Sequence, residues 1–345
     1  MSNNSAKQTF ITVSLLLLAL LVSACSSNSG SSAGSGDGAK TNAANTAAGT
    51  NADAGNQPKA WKEVHIGYQK YGTVNILKSQ GTLDKRLEQE GYKVTWTEFP
   101  GGPQLLEALN VGSIDIGHTG EAPPIFAQAA GADLVYLAHE APSPTSEGIL
   151  VPKDSPVKSL ADLKGKKVVL NKGSNVHYLL VKALEKAGLS YGDITTVFLP
   201  PGDARVAFEK GDVDAWVIWD PFLAAAQTAT GAKLLADGKE LVANQEFYLA
   251  SRSFASANKP IVEAFLGELT KVDDWAAANQ QEVAKQLSPQ LGIDIPSLEL
   301  AAGRRPYGVV AIDDAVIEAQ QRIADTFFDL KLIPKAIQVK DAQLK

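Results

Sequence analysis

The stretch Ile114-Asp115-Ile116-Gly117-His118-Thr119-Gly120-Glu121-Ala122-Pro123-Pro124 passes from an apolar, strand-like segment directly into the start of a helix. Residues 114–117 read as the strand and residues 123–130 as an apolar helix. Between them stand a small hydroxyl residue, Thr119, and a glycine, Gly120. Backbone N–H groups at such a turn, backed by the positive end of a helix dipole, form an uncharged cradle for an oxyanion. No catalytic base accompanies them, so the local chemistry suggests holding a ligand more than reacting with it.

Outward from this stretch, strand-like runs occur at residues 64–68, 93–99, 134–139 and 148–151, with helical patterns at 76–90, 103–111 and 123–130. A second set follows, with strands at 167–170, 196–199, 215–219 and 233–235 and helices at 176–187, 204–210 and 221–230. After a strand-like return at 247–251, the remainder is helical, at 260–278, 282–287, 296–300 and 314–329. Alternation of this kind predicts an α/β fold with mostly parallel sheets, arranged as two lobes and a helical tail. About 285 residues of body are enough for two separate cores.

Ligands of open α/β sheets sit beyond the carboxyl ends of the strands. The strand-to-helix turns share one chemistry: Pro100-Gly101-Gly102-Pro103, Thr119-Gly120-Glu121, Lys172-Gly173-Ser174-Asn175, Pro200-Pro201-Gly202-Asp203 and Trp219-Asp220-Pro221. Glycines permit close backbone approach and hydroxyls donate, which suits a small oxyanion. Ser174 and His177 either face a ligand from the first turn of one helix or form an ordinary cap with a surface histidine. Gln69 is either a polar-head anchor or a loop residue. Of Trp216 and Trp219, strand alternation sends one to the core and leaves the other to wall a site. Arg304-Arg305 reads as a solvated turn or as a pair reaching the cleft. Glu121 at a helix start is favoured by the dipole whatever its function.

At the amino end, Lys7 precedes an apolar run over residues 10–22 that is too short for a confident membrane span and reads as a secretory signal peptide. The single cysteine, Cys25, follows Val22-Ser23-Ala24, which resembles the lipobox of bacterial lipoproteins. That resemblance implies lipidation of Cys25 and anchoring to the outer face of the cytoplasmic membrane. Residues 26–58 are almost entirely Ser, Gly, Ala, Asn and Thr, a flexible tether with an r.m.s. span on the order of 30 Å.

A formal net charge of -6 with no Arg/Lys stripe argues against nucleic acid as a partner. One cysteine removes disulfides and zinc–thiolate sites, and the four scattered histidines have no zinc-ligand spacing. Phosphate-loop, dinucleotide and H-E-x-x-H signatures are missing, and no local G-x-S-x-G elbow supports a Ser174–His177 nucleophilic pair. Neither metal nor cofactor is expected.

Ile66-Gly67-Tyr68-Gln69-Lys70, Phe99-Pro100-Gly101-Gly102-Pro103-Gln104, the opening stretch, Lys172-Gly173-Ser174-Asn175-Val176-His177 and Val213-Asp214-Ala215-Trp216-Val217-Ile218-Trp219-Asp220-Pro221 together resemble the aliphatic sulfonate-binding proteins of ABC importers. The resemblance extends to Leu332-Ile333-Pro334-Lys335. It implies a type II periplasmic-binding-protein fold, two α/β lobes with the ligand cleft between them and crossovers near residues 148–152 and 247–252. Residues 1–24 are then the signal peptide, 25–60 the lipidated cysteine and linker, 61–149 with 250–345 a discontinuous first lobe, and 150–249 the second.

For the site, the resemblance nominates Gln69, Thr119, Gly120, Gly173, Ser174 and His177, with Trp219 and Asp220 from the second lobe. The implied partners are a small alkanesulfonate, a permease with its ATPase and, through the anchor, the membrane; the implied state is a monomer that is not an enzyme. The chain departs from the family pattern at His118, Glu121 and Asn175, which bears on the organic tail. Rival readings are the same scaffold carrying taurine, nitrate or a thiamine-pyrimidine precursor, an enzyme on this fold, or a surface adhesin.

Overall fold

The computed structural model describes residues 62–344, so the readings placed on the signal peptide, Cys25 and the linker lie outside the described residues. The first sheet comprises β1 (Lys62–Gln69), β2 (Tyr92–Phe99), β3 (Ile116–Gly120) and β4 (Leu134–Glu140). The second comprises β5 (Glu147–Val151), β6 (Lys167–Leu170), β7 (Thr195–Phe198), β8 (Ala215–Trp219) and β9 (Lys233–Asp237). Strands β10 (Glu246–Ser251) and β11 (Val309–Val310) then return to the first sheet.

The strand orders are β11-β4-β10-β3-β1-β2 and β7-β6-β8-β5-β9. In each sheet the strand that arrives from the other lobe, β10 or β5, lies antiparallel between its neighbours, while the pairs β1/β2, β1/β3, β6/β7 and β6/β8 are parallel. The joins between sheets are therefore residues 141–146 and 238–245. The segments expected as crossovers, near 148–152 and 247–252, fall mainly in β5 and β10, because an apolar run marks the strand that follows the crossing and not the crossing itself. The joins are laced together: Asn244 Nδ2 donates to Ser143 O at 2.8 Å, and Gly238 N donates to Pro144 O at 2.8 Å.

Helices α1 (Thr73–Gln80), α2 (Thr82–Gln89), α3 (Gly102–Asn110) and α4 (Pro123–Ala130) cover the first sheet, with apolar residues from several of them in its core clusters. The single helix expected over 76–90 is two, because Gly81 takes a left-handed turn at φ 64° that only glycine adopts readily. Prolines open α4 at its first turn, where their missing N–H costs no ladder bond. Helices α5 (Asn175–Lys186), α6 (Pro201–Lys210) and α7 (Phe222–Thr230) cover the second sheet.

The tail supplies α8 (Arg252–Ala257), α9 (Lys259–Ala278), α10 (Gln280–Leu291), α11 (Ile295–Ala302) and α12 (Asp314–Asp329). Helix α11 packs on α7 of the second lobe, where Thr228 Oγ1 and Ser297 Oγ lie 2.6 Å apart. The chain expected to belong wholly to the first lobe therefore straps the second. Among the described residues, no helix is long and apolar enough to cross a membrane.

Candidate functional site

The carboxyl ends of β1, β3 and β8 converge with both joins on one interlobe cleft that is partly open to solvent. Of the residues nominated from sequence, Gln69, Gly120, Trp219 and Asp220 line it. Gln69 is held from both ends: its N–H donates to His118 Nε2 at 3.1 Å and its side-chain amide donates to His118 O at 2.8 Å. The Gln69 side-chain amide is thereby fixed in orientation.

Four nominated residues stand elsewhere. Strand β3 continues through Thr119 and Gly120 instead of turning there, so alternation gives His118 and Gly120 to the cleft and turns Thr119 away. The Thr119 hydroxyl donates to Gly120 O at 2.9 Å. Ser174 is buried and its hydroxyl donates to Asn171 O at 2.7 Å. His177 accepts from Gly173 N at 3.2 Å through Nδ1, leaving Nε2–H to donate to the Tyr191 hydroxyl at 2.7 Å.

His177 stacks on Phe126 at 6.0 Å and meets Phe327 at 5.6 Å, so it closes an aromatic seam between the lobes. Burial, aided by Lys172, lowers its pKa to about 4, and it is neutral there. Gly173 lines a neighbouring groove with Lys172 and Phe126. Spacing could not reveal these roles, because a helix start that caps itself and one that binds a ligand use the same residues. Ser174→Ala is accordingly expected to change ligand affinity less than twofold and to lower stability by about 1 kcal/mol, as judged by calorimetry and denaturant titration.

Sequence reasoning missed Tyr71, Ser143, Ser146, Asn175, Asn244 and Glu246, all of which line the cleft, and left Arg305 open. Ser143, Ser146 and Asn244 lie on the joins, where no periodicity marks them. Arg305 comes from the loop after α11 and donates through Nη2 to Glu246 Oε2 at 2.5 Å and to Glu140 Oε2. His118 Nε2 is an acceptor, so its Nδ1–H points to Glu246 Oε1. Burial opposes ionisation of Glu246, but Arg305 and His118 override it and hold the carboxyl well below its usual range. Glu140 is pushed up to about 7, by burial first and against the pull of Arg305.

Arg304 takes a different partner. It donates through Nη1 to Asp220 Oδ1 at 3.1 Å and through Nη2 to Gln227 Oε1 at 2.6 Å, tying the tail to the second lobe. Asp220 also accepts from Ala224 N at 3.0 Å. Burial raises Asp220 to about 6 despite Arg304. The cleft therefore offers compensated charges and fixed dipoles, with no nucleophile held by a base. No cluster of three His, Cys, Asp or Glu side chains suited to a metal ion occurs among the described residues.

Comparison with known proteins matches residues 87–283 to the NMT1/THI5 like family. A protein of Escherichia coli (strain K12) named for binding aliphatic sulfonates is 44% identical over 280 residues, 80% of this chain and 87% of the relative. The chain belongs to the family of aliphatic sulfonate-binding proteins. Among solved structures, the alkanesulfonate-binding protein SsuA from Xanthomonas axonopodis pv. citri bound to MOPS matches with TM-score 0.78 and 44% identity, covering 81% of this chain and 97% of that one. The periplasmic aliphatic sulphonate binding protein SsuA from Escherichia coli matches with TM-score 0.74 and 43% identity over 82% of this chain and 97% of its own.

The lobes of this sulfonate-binding family member meet at places where side chains are absent. A Cβ on Gly120 would lie 2.7 Å from Cβ of Asn175 across the cleft, and one on Gly101 would strike the Asn171 amide. Beside Asn175 lie two buried carboxyls, Glu121 from the first lobe and Glu147 from the second, each with one oxygen lacking a hydrogen-bond partner. Gln245 N donates to Glu121 Oε2 at 3.2 Å, and Asn175 Nδ2 donates to Glu147 Oε2. Burial first, then Glu121, drives Glu147 well above the ordinary carboxyl range.

Burial lifts Glu121 from 4.5 to about 7 against the backbone N–H groups of Gln245 and Asn244. The folded protein then binds more protons than the unfolded chain between these values, so this group's contribution is fully present below pH 4.5 and is lost as pH rises through 7. The loss is on the order of 3 kcal/mol. Glu121→Gln is expected to raise the melting temperature at pH 8 and to leave it unchanged at pH 4. Equal shifts at both pH values would contradict the assignment.

Proposed function

We propose that this protein is the extracytoplasmic ligand-capturing component of an ABC importer, taking alkanesulfonates into the interlobe cleft and delivering them to a permease and its ATPase. The observation that carries this reading is the cleft itself, walled by fixed amides, an indole and internally paired charges, in a chain of the sulfonate-binding family. A sulfonate is anionic at every physiological pH, so its site has no need to move protons. Compensated charges and fixed amides lower the desolvation cost that an isolated buried cation would impose. Gln69, Gly120, Asn175, Trp219 and Asp220 form the proposed walls.

On this reading the chain is exported, cleaved before Cys25 and lipidated there, and its body works as a monomer that binds without turnover. Ligand capture draws the lobes together about residues 141–146 and 238–245, and the permease reads the closed form. Affinity of micromolar or better, about -8 kcal/mol, suits a scavenger. Calorimetry of the body with ethanesulfonate, taurine, sulfate and nitrate tests the ligand class. Tight binding of ethanesulfonate supports it; binding of nitrate or sulfate alone would refute it. Mass spectrometry of the membrane-extracted protein, showing an acylated amino-terminal Cys25 or a free one, tests the anchor.

A further inference from the structure

Two buried carboxyls meet where the lobes come together, and neither has a positive partner. Glu121 follows β3 of the first lobe and is 2% exposed; Glu147 opens β5 of the second lobe and is 0% exposed. Each stands one residue behind the cleft wall, after Gly120 and Ser146, and neither lines the cleft itself. Among the described residues neither forms a salt bridge, and Glu121 Oε1 and Glu147 Oε1 have no hydrogen-bond partner. Two negative charges in so dry a contact would repel with nothing to offset them.

The surroundings supply dipoles and no counter-charge. Asn175 of α5 donates through Nδ2 to Glu147 Oε2 and to Asn244 Oδ1 at 3.1 Å, so both of its amide hydrogens are used. Gln245 N, from the second join, donates to Glu121 Oε2 at 3.2 Å. Tyr178 of α5 faces Glu121 and lies also within the fields of Arg322 and Glu185. Gln320 of α12 donates to Glu121 O at 2.9 Å and to the Tyr136 hydroxyl at 3.0 Å, and the Gln245 side chain stands 3.1 Å from His139 Nδ1. On the Glu147 side, Asp220 is paired with Arg304, and Asp237 of β9 accepts from Lys239 N at 2.9 Å. Burial, and for Glu147 the Glu121 charge as well, favours the protonated form of both carboxyls.

Resting on the sulfonate reading of the cleft, we infer that ligand capture is proton-coupled: the lobes close as the Glu121–Glu147 contact takes up a proton from solvent. In the open form the two carboxyls lie on separate lobes, return to water and ionise. A proton on either one removes the repulsion and turns an unpartnered oxygen into an O–H donor. A sulfonate stays anionic throughout, so the proton belongs to the protein. The closed form then holds more protons than the open one, and affinity falls as pH rises, by about tenfold per unit for each proton bound on closing. His177, lowered to about 4, titrates below this range. Glu140 and Asp220, raised to about 7 and about 6, each face an arginine, and variants of the Glu121–Glu147 pair separate their share from it.

The test is calorimetry with ethanesulfonate from pH 6 to pH 8 on the wild type, Glu121→Gln and the double variant Glu121→Gln with Glu147→Gln. At pH 7 each is measured in cacodylate and in imidazole, which differ in heat of ionisation and are not sulfonates. The wild type is expected to take up about one proton at pH 7 and to bind about a hundredfold more weakly at pH 8 than at pH 6. In the double variant the change over that range is expected to fall below about threefold, with binding at pH 8 tighter than in the wild type. If the double variant does not fold, Glu121→Gln alone decides, by binding more tightly than the wild type at pH 8. No proton uptake by the wild type, or the same pH slope in both proteins, overturns the coupling while the sulfonate reading stands. Affinity that follows sodium or calcium concentration in place of pH also overturns it, by setting a cation between the carboxyls. A wild type that binds ethanesulfonate at no pH removes the sulfonate reading and the coupling with it.

Discussion

Arg304→Ala is expected to destabilise the protein by about 3–5 kcal/mol, because it strands the buried Asp220 carboxylate without its counter-charge. Asp220 sits at 3% side-chain exposure and Arg304 at 16%, so water replaces little of what is lost. The same guanidinium holds Gln227 on α7, and the carbonyl of Arg304 receives the Thr145 and Ser146 hydroxyls at 3.3 and 3.2 Å from one join. Removing the side chain thus loosens the strap where tail, join and second lobe meet. Denaturant titration measures the loss. The pair Arg304→Met with Asp220→Asn is expected to recover a large part of it, since no unpaired charge remains. A loss below about 1 kcal/mol for Arg304→Ala would show that Asp220 does not depend on the pair.

Gly120→Ala is expected to reduce ethanesulfonate affinity by roughly tenfold to a hundredfold while hardly moving the melting temperature. The added methyl meets Asn175 Cβ at 2.7 Å and Cγ at 2.9 Å, atoms that belong to the opposite lobe. Overpacking of this kind costs about 1–3 kcal/mol. Here it falls on the closed arrangement and spares the lobes individually, so it is felt as a smaller population of the binding-competent form. Calorimetry gives the affinity and scanning calorimetry the melting temperature. A large fall in melting temperature with unchanged affinity would place the clash within one lobe.

The lobes were legible in the sequence because strand and helix periodicities are written along each segment. Strands β1, β2, β4, β6 and β8 and the long helices α9 and α12 lie within a few residues of where apolar spacing puts them. Boundaries shifted where a local residue decides, as Gly81 does in splitting α1 from α2. The site was half legible. Gln69, Gly120, Trp219 and Asp220 stand at strand ends, which the rule for open α/β sheets identifies.

Tyr71, Asn244 and Arg305 come from a strained turn, a join and a tail loop, and only the folded chain brings them together. Thr119 and Ser174 carry the right chemistry, but their hydroxyls are consumed by nearby carbonyls, a competition that residue type alone cannot reveal. Arg305 reaches the cleft because the 303–308 loop follows the strap on α7, and nothing in its own neighbourhood of the sequence marks that path.

A crystal structure of the body grown with ethanesulfonate, with the sulfur located by its anomalous signal, tests the central claim most directly. The account predicts one sulfur peak in the interlobe cleft, between Gly120 of the first lobe and Trp219 of the second. A peak at the Lys172-Gly173 turn or elsewhere on the surface, with the cleft empty at saturating ligand, would contradict it.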